Sequence, residues 1–413
     1  MMSLFIVLLY ALMLPYIGLM LMVIVGLYRA KRRPYNAATP SVSVLIPAHN
    51  EEEKLAQTLQ SLSNQVYEGD LEFVIVNDRS TDTTKAIIER FVAQDERFKL
   101  VNVSEPSRRF APKVNAVNIG IEASQGEIIV ASDADCQYKP SWVSGMVSHF
   151  EDDVAMVVGY VESTPPNGAK NLVQLFEAID WFTLIMTSRS LTHFGWKFAS
   201  SANNQAYRRS AFEAIGGFGA SGRAPSGDED LLTQRMGKLP GMRVVFASEP
   251  EVRVLTQPTP HLMGLLRQRR RWVSRYHHTV HYHPAFLTSI AIFGFSSIAL
   301  CLGIICSFFI PALAPWVFGL WAFKLAVELY GMNIGTEQLE RRDFWGEYGE
   351  RTLFWALLHP FFIAFVVLWS FFKPGAWYAG AESYRRRFAR RRIREFKRKV
   401  KANLLSLLSL FEV

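Results

Sequence analysis

Two aspartates one residue apart, Asp133 and Asp135, close the segment Glu127-Ile-Ile-Val-Ala-Ser-Asp-Ala-Asp135. Side chains alternate along an extended chain, so the two carboxylates project to one side. Paired hard oxygen ligands suit Mg2+ or Mn2+, which keep several waters and complete their shell from substrate phosphates. A solvated turn is the ordinary fate of such a pair, but its position directly after an apolar strand favours the functional reading. Three successive carboxylates, Asp228, Glu229 and Asp230, follow Ser226-Gly227 and open a helical pattern. Acids in a first helical turn suit the macrodipole, yet three in a row exceed what capping needs and offer a general base. A third group, Gln268-Arg-Arg-Arg-Trp272, lies on a basic helix shortly before an apolar run. Positive charge there suits anionic lipid, while Gln and Trp at fixed offsets describe a shaped site.

These groups need a frame, and the intervening sequence supplies one. Val42-Ser-Val-Leu-Ile46, Leu71 to Val76, Lys99 to Val103 and Glu127 to Ala131 read as short buried strands. Helical patterns over Glu51 to Gln65, Asp82 to Phe91 and Lys113 to Ala123 separate them. The alternation predicts an α/β domain, Rossmann-like, with a mostly parallel covered sheet. Ligands of such sheets bind beyond the carboxyl ends of the strands. The polar clusters Pro47-Ala-His-Asn-Glu51, Asn77-Asp-Arg-Ser-Thr-Asp82 and Ser132 to Asp135 all fall there. Neither glycine-rich phosphate loop occurs in the strand-to-helix turns, so nucleotide recognition falls to carboxylates and a metal.

Half of the 413 residues are apolar, which excludes disorder and exceeds what a water-soluble enzyme of this size carries. Met1 to Tyr28 is uncharged and long enough for a spanning helix. The positive residues Arg29, Lys31, Arg32 and Arg33 follow this run, which argues against a cleaved leader and places the next segment in the cytoplasm. A second uncharged stretch, Pro284 to Phe323, continues to about Asn333 with a break near Pro311 to Pro315, and a third runs from Leu353 to Phe372. Four crossings would leave a tail with eleven basic residues between Arg385 and Lys401 on the far side, against the positive-inside tendency. One C-terminal segment is therefore expected not to span: either Leu353 to Phe372, bent at Pro360 as a re-entrant or interfacial piece, or a re-entry between Pro311 and Asn333. Lys324 and Glu328, four apart, suit a structural pair. Ala402 to Phe411 is too short to cross and suits the membrane surface.

The expected organisation is a membrane helix over 1–28, a cytosolic domain over 40–280, a membrane region over 284–373 and a basic tail over 374–413. Without the stretch Arg385 to Lys401 the chain carries a net charge of about −2, so anionic headgroups are the nearer partner of that stretch and a nucleic acid is not expected. Cys136, Cys301 and Cys306 are too few for a disulfide framework or a zinc site.

Taken in order, the motifs resemble the membrane-bound, inverting family 2 of the glycosyltransferases, whose catalytic domain has the GT-A fold. The resemblance covers about residues 40 to 275. It implies that Pro47, Ala48 and Glu51 line a nucleotide pocket and that Asp78 accepts from a uracil ring. Lys113 lies in Lys-Val-Asn-Ala-Val-Asn-Ile-Gly120, similar to the family's Gly-Lys-x-x-Ala-Leu-Asn-x-Gly. Asp133 would touch the nucleotide, Asp135 the metal, and Gln268, Arg271 and Trp272, matching Q-x-x-R-W, the diphosphate and the acceptor entrance. Three positions depart from the pattern. Asn77 replaces the first of two usual aspartates, Ala111-Pro112 stands where glycine often precedes the lysine, and Glu229 occupies the position of the usual aspartate base with Asp230 beside it.

The reaction implied is inverting transfer of a sugar, a hexosyl or N-acetylhexosaminyl group, from a UDP-sugar to a hydroxyl of a membrane-associated lipid or terpenoid acceptor. It would run at the cytoplasmic face of a cell membrane. A processive synthase of a poly-N-acetylglucosamine, chitin or hyaluronan-like glycan shares the motifs, and a non-catalytic nucleotide-sugar-binding protein is the reading from another class.

Overall fold

The computed structural model describes residues 2–30, 38–107, 109–164, 168–169, 171–196, 201–219, 222, 228–273 and 284–372. The basic tail, the Ala402–Phe411 segment and the Ser226-Gly227 pair lie outside them.

Four strands run parallel: β1 (Val42–Ala48), β2 (Leu71–Asp78), β3 (Phe98–Val103) and β4 (Ile128–Ala131). Their alternate residues enter two separate cores. Val44, Ile46 and Ile75 pack with Leu55 and Leu59 of α2 (Leu55–Ser63), whereas Leu45, Val74 and Val76 pack with Val114 and Val117 of α4 (Pro112–Ala123). With helices on both faces the strands read as continuous apolar runs. α3 (Thr84–Gln94) joins the α2 side through Ile88 and Phe91.

Beyond β4 the chain departs from simple alternation. β8 (Gln205–Arg208) enters antiparallel between β4 and β6 (Val154–Gly159), and β9 (Arg243–Ala247) closes the sheet, giving the order β3-β2-β1-β4-β8-β6-β9. A second sheet is built of β5 (Cys136–Tyr138), β10 (Val254–Thr256) and β7 (Val161–Ser163). Buried Asn204 ties the two sheets together. Its amide donates to the Tyr160 and Val252 carbonyls, both at 2.8 Å, and its Oδ1 accepts from Trp142 Nε1 at 3.0 Å, where α5 (Trp142–Val147) begins.

Four helices are long and apolar enough to cross a membrane: α1 (Met2–Arg29), α10 (Pro284–Phe309), α11 (Ala314–Gln338) and α12 (Phe344–Phe372). The expected break between the middle two is a 3-10 turn over Pro311–Leu313. Lys324 and Glu328 form the expected pair at 2.6 Å, both buried, and the Tyr16 hydroxyl of α1 also donates to Glu328. Partnering of this kind lets charges sit among apolar helices.

The irregular backbone of α12 lies away from Pro360. α12 remains helical through that proline, and its irregular backbone falls at Gly349 (φ 2°, ψ −103°). A missing Cβ makes that departure inexpensive, whereas neighbouring helices support the backbone groups that Pro360 leaves unpaired. A second boundary also moves. The helix expected from Glu51 starts at Leu55, because Glu51 and Glu52 are engaged with the loop after β2.

α6 (Leu172–His193) bridges sheet and apolar helices. Ser190 Oγ donates to the Val23 carbonyl at 2.7 Å and Arg189 to the Ala30 carbonyl at 3.0 Å. α1 can approach so closely because Gly26 faces Ser190, where any Cβ would collide. At the other end α6 meets α12 through Phe182 and Phe344, with ring centroids 4.5 Å apart.

Candidate active site

The parallel strands deliver their polar ends to one edge. Pro47 and Ala48 finish β1 beside Val76 and Asn77 of β2, and the two following loops interlock. Asn50 N donates to Ser80 Oγ at 3.1 Å, Asn50 Oδ1 accepts from Thr81 N at 2.8 Å, and Glu51 N donates to Thr84 Oγ1 at 2.8 Å. Glu52 reciprocates by accepting from Thr83 N at 3.0 Å. Asn50 (φ 55°) and Arg79 (φ 56°) adopt left-handed backbone, which side chains other than glycine rarely take and which concentrates at ligand sites. Asp78 is buried at the end of β2 with its carboxylate clamped by Arg79, through Nε at 2.8 Å and Nη2 at 3.2 Å.

The turn carrying the two aspartates is fixed from below. Ser132 Oγ donates to the Asn203 carbonyl at 2.6 Å and accepts from the Tyr138 hydroxyl at 2.8 Å, while Thr58 Oγ1 donates to the Ala134 carbonyl at 2.8 Å. Above that base, Lys113 Nζ lies 2.5 Å from Asp133 and Lys54 Nζ lies 3.4 Å from Asp135. Burial pushes the Asp133 carboxyl above its usual range; Lys113 opposes this, and the charges of Asp135 and Glu229 add to it. Glu51 is driven up to about 7, first by burial and then by Asp135, with smaller contributions from Asp133 and Asp82 against Lys54. The sequence-expected Glu51, Asp133, Asp135 and Glu229 therefore press on one another electrostatically, with Lys54 and Lys113 as counter-charges.

Such crowding is what a divalent cation relieves, and the donor set fits a hard one. Among the described residues no group of three or more His, Cys, Asp or Glu side chains has metal-binding geometry. A cation here would draw much of its shell from phosphate and water, as Mg2+ and Mn2+ sites of this type do.

On α8 (Asp228–Met236) the two candidate bases differ. Asp230 is buried, 4% exposed, whereas Glu229 is partly open and close enough to Asp133 to raise its pKa.

Gln268, Arg271 and Trp272 stand on α9 (Leu262–Val273). Gln268 and Trp272 are held on the α6 side of the molecule through Arg269. Its guanidinium pairs with Asp180 of α6 at 2.6 Å, lies 4.2 Å from the Trp272 ring centroid and donates to Gln268 Oε1. Asp180 is also 3.3 Å from His359 of α12, and the Trp181 and Trp272 ring centroids are 5.1 Å apart. Sequence reasoning missed Asp180, Arg269, His359 and Lys54. Asp180, among apolar neighbours of α6, carries no motif that points to Arg269 or His359, whereas Lys54, a lone base beside three acids, was open to notice.

Residues 43–216 match the model described as glycosyl transferase family 2. Among curated relatives, the chain is 32% identical over 237 residues to the probable glycosyltransferase YdaM of Bacillus subtilis, covering 56% of this chain and 54% of that one. It is 28% identical over 198 residues to the beta-monoglucosyldiacylglycerol synthase of Nostoc, covering 47% of this chain and 42% of that one. The chain thus spans about half the length of these relatives. A solved mannosyltransferase, PcManGT from Pyrobaculum calidifontis in complex with GDP-Man and Mn2+, superposes with a TM-score of 0.56 at 18% identity over 89% of this chain and 99% of that chain. At that identity the likeness establishes the fold: α/β, of the GT-A kind, with its apolar helices.

Proposed function

We propose, from the match of residues 43–216 to the glycosyl transferase family 2 model, that the chain transfers a sugar from a UDP-sugar to a hydroxyl of a membrane-associated acceptor, with inversion. The observation that carries this reading is the carboxylate cluster at the strand ends, acidic, partly open and paired with two lysines.

The acceptor hydroxyl is a poor nucleophile. Glu229 accepts its proton as the oxygen bonds to the anomeric carbon, the bond from that carbon to the diphosphate oxygen breaks on the opposite face, and UDP departs with the electron pair. Two facts support Glu229 over Asp230: it is the more open of the two, and its charge reaches Asp133. Asp135, with Asp133 and Glu51 beside it, would hold Mg2+ or Mn2+, which supplies positive charge against the diphosphate. Lys113 swings from Asp133 to the leaving phosphate and adds a second positive charge. Pro47, Ala48 and Glu51 line the nucleoside pocket, with Asp78 kept from solvent for the base. Gln268, Arg271 and Trp272 would hold the diphosphate and the acceptor entrance.

The positive residues after α1 favour a cytoplasmic sheet domain at a cell membrane. α12 packs against α6 and α9, with Phe362 near Phe176 (4.9 Å), His359 near Asp180 and Trp369 under Arg270, and it packs more extensively against α10, where Val367 lies beside Gly294. A last helix that does not cross would keep the basic tail on the cytoplasmic side, as the positive-inside tendency favours. Few spanning helices are then left to enclose a polar channel, which favours single transfer to an apolar acceptor over a processive synthase. The glycolipid synthase among the relatives supports the same choice.

The test is to incubate membranes bearing the chain with labelled UDP-sugars and to follow UDP release and the partition of label. Label entering organic solvent supports the reading; label in a high-mass aqueous fraction indicates a polymer, and UDP release without acceptor-dependent product a non-catalytic or hydrolytic role.

A further inference from the structure

α9 buries Leu265, Leu266 and Arg269 against its neighbours. At 100° per residue, Met263, Arg267 and Arg270 form a stripe that flanks the buried one. Met263 is 50% exposed, Arg267 is exposed and Arg270 is partly covered. Arg267 and Arg270 are one turn apart, and among the described residues neither pairs with a carboxylate. The Arg270 Nε–H is shielded from solvent and has no hydrogen-bond acceptor. Burial and the charge of Arg267 both press the Arg270 guanidinium below its ordinary pKa, as expected of two cations left without an anion between them.

Location suggests what would relieve them. The Arg270 guanidinium lies 4.0 Å from the ring centroid of Trp369, close to the end of the apolar helix α12. Tryptophan at the end of an apolar helix marks headgroup level, so the two arginines sit where lipid phosphates are densest. An exposed methionine on the same side offers contact to the upper acyl chain.

We propose that Arg267 and Arg270, with Trp369, form a binding site for the phosphate headgroup of an anionic membrane lipid. The site uses none of the residues of the carboxylate cluster or of the basic tail. Two adjacent guanidiniums bind a phosphate through parallel N–H donors, and the indole holds one of them at the right depth. A lipid so held seats α9 against the bilayer.

The full chain in neutral maltoside micelles is titrated calorimetrically with dioctanoyl phosphatidic acid. Arg267→Gln is expected to weaken binding about five-fold and Arg267→Gln with Arg270→Gln about 25-fold, the effect of roughly one basic residue each at an anionic surface. The tail is present in every variant, so a double variant that titrates like the parent would assign all binding to the tail and overturn the site. Arg267 is exposed and its replacement leaves the packing of α9 intact, so unchanged affinity in that single variant overturns it as well. In a parallel arm, inorganic phosphate is expected not to compete; competition at equal concentration would identify a free-anion site and defeat the lipid assignment.

Discussion

Charge is drawn away from open solvent at two places in this molecule, and they are assembled in opposite ways. At the strand ends Glu51, Asp133, Asp135 and Glu229 face two lysines, and burial together with the charge of neighbouring carboxylates lifts Glu51 to about 7. Where α6, α9 and α12 meet, the single carboxylate of Asp180 is matched by Arg269 and His359, and Arg269 holds its carboxyl below the usual range against the cost of burial. Surplus charge costs stability and is kept where a ligand removes it; a matched network fixes helices relative to one another and has nothing to gain from a ligand.

The contrast sharpens most at the base. Glu229→Gln is expected to lower transfer by about 10²- to 10⁴-fold, with Asp230→Asn far milder; UDP release from matched membrane preparations checks it, and equal losses would remove the distinction drawn between the two. Next comes the matched cluster. Asp180→Ala leaves Arg269 buried without its partner and is expected to cost about 3–5 kcal/mol of stability, seen as a fall in Tm in detergent. At the surplus cluster the same kind of change goes the other way: Asp135→Ala is expected to lower turnover about 10²- to 10³-fold while leaving Tm unchanged or raised, since it relieves repulsion. The smallest effect is from the cation itself. Mn2+ at a hundred times its dissociation constant is expected to stabilise the wild-type chain by about 2.7 kcal/mol and to leave Asp135→Ala unaffected, as thermal unfolding with and without EDTA would show.

Much of the surplus cluster was legible in the sequence, because it follows from strand periodicity. Val42, Leu71 and the Glu127–Ala131 run announce buried strands, and the polar residues after each must gather at one edge of a parallel sheet. The matched cluster was not legible. Asp180, Arg269 and His359 are 89 and 90 residues apart in succession, and no local pattern links them. β5, β7 and β10 are three residues each, too short for an alternation to register. The antiparallel β8 sits in Gln-Ala-Tyr-Arg, a polar-looking stretch buried only because β4 and β6 flank it. Pro360 gives no sign of Gly349: proline marks a bend, whereas the irregular backbone falls eleven residues earlier, at a glycine.

The central claim is that the strand-end carboxylates hold a divalent cation against a nucleotide diphosphate. Mn2+ binding to the full chain in detergent, followed by electron paramagnetic resonance with and without UDP, tests it without depending on the acceptor. The account predicts weak binding alone, markedly tighter binding with UDP, and loss of both in Asp135→Ala. Equal Mn2+ affinity in the wild type and that variant, or no response to UDP, would contradict it.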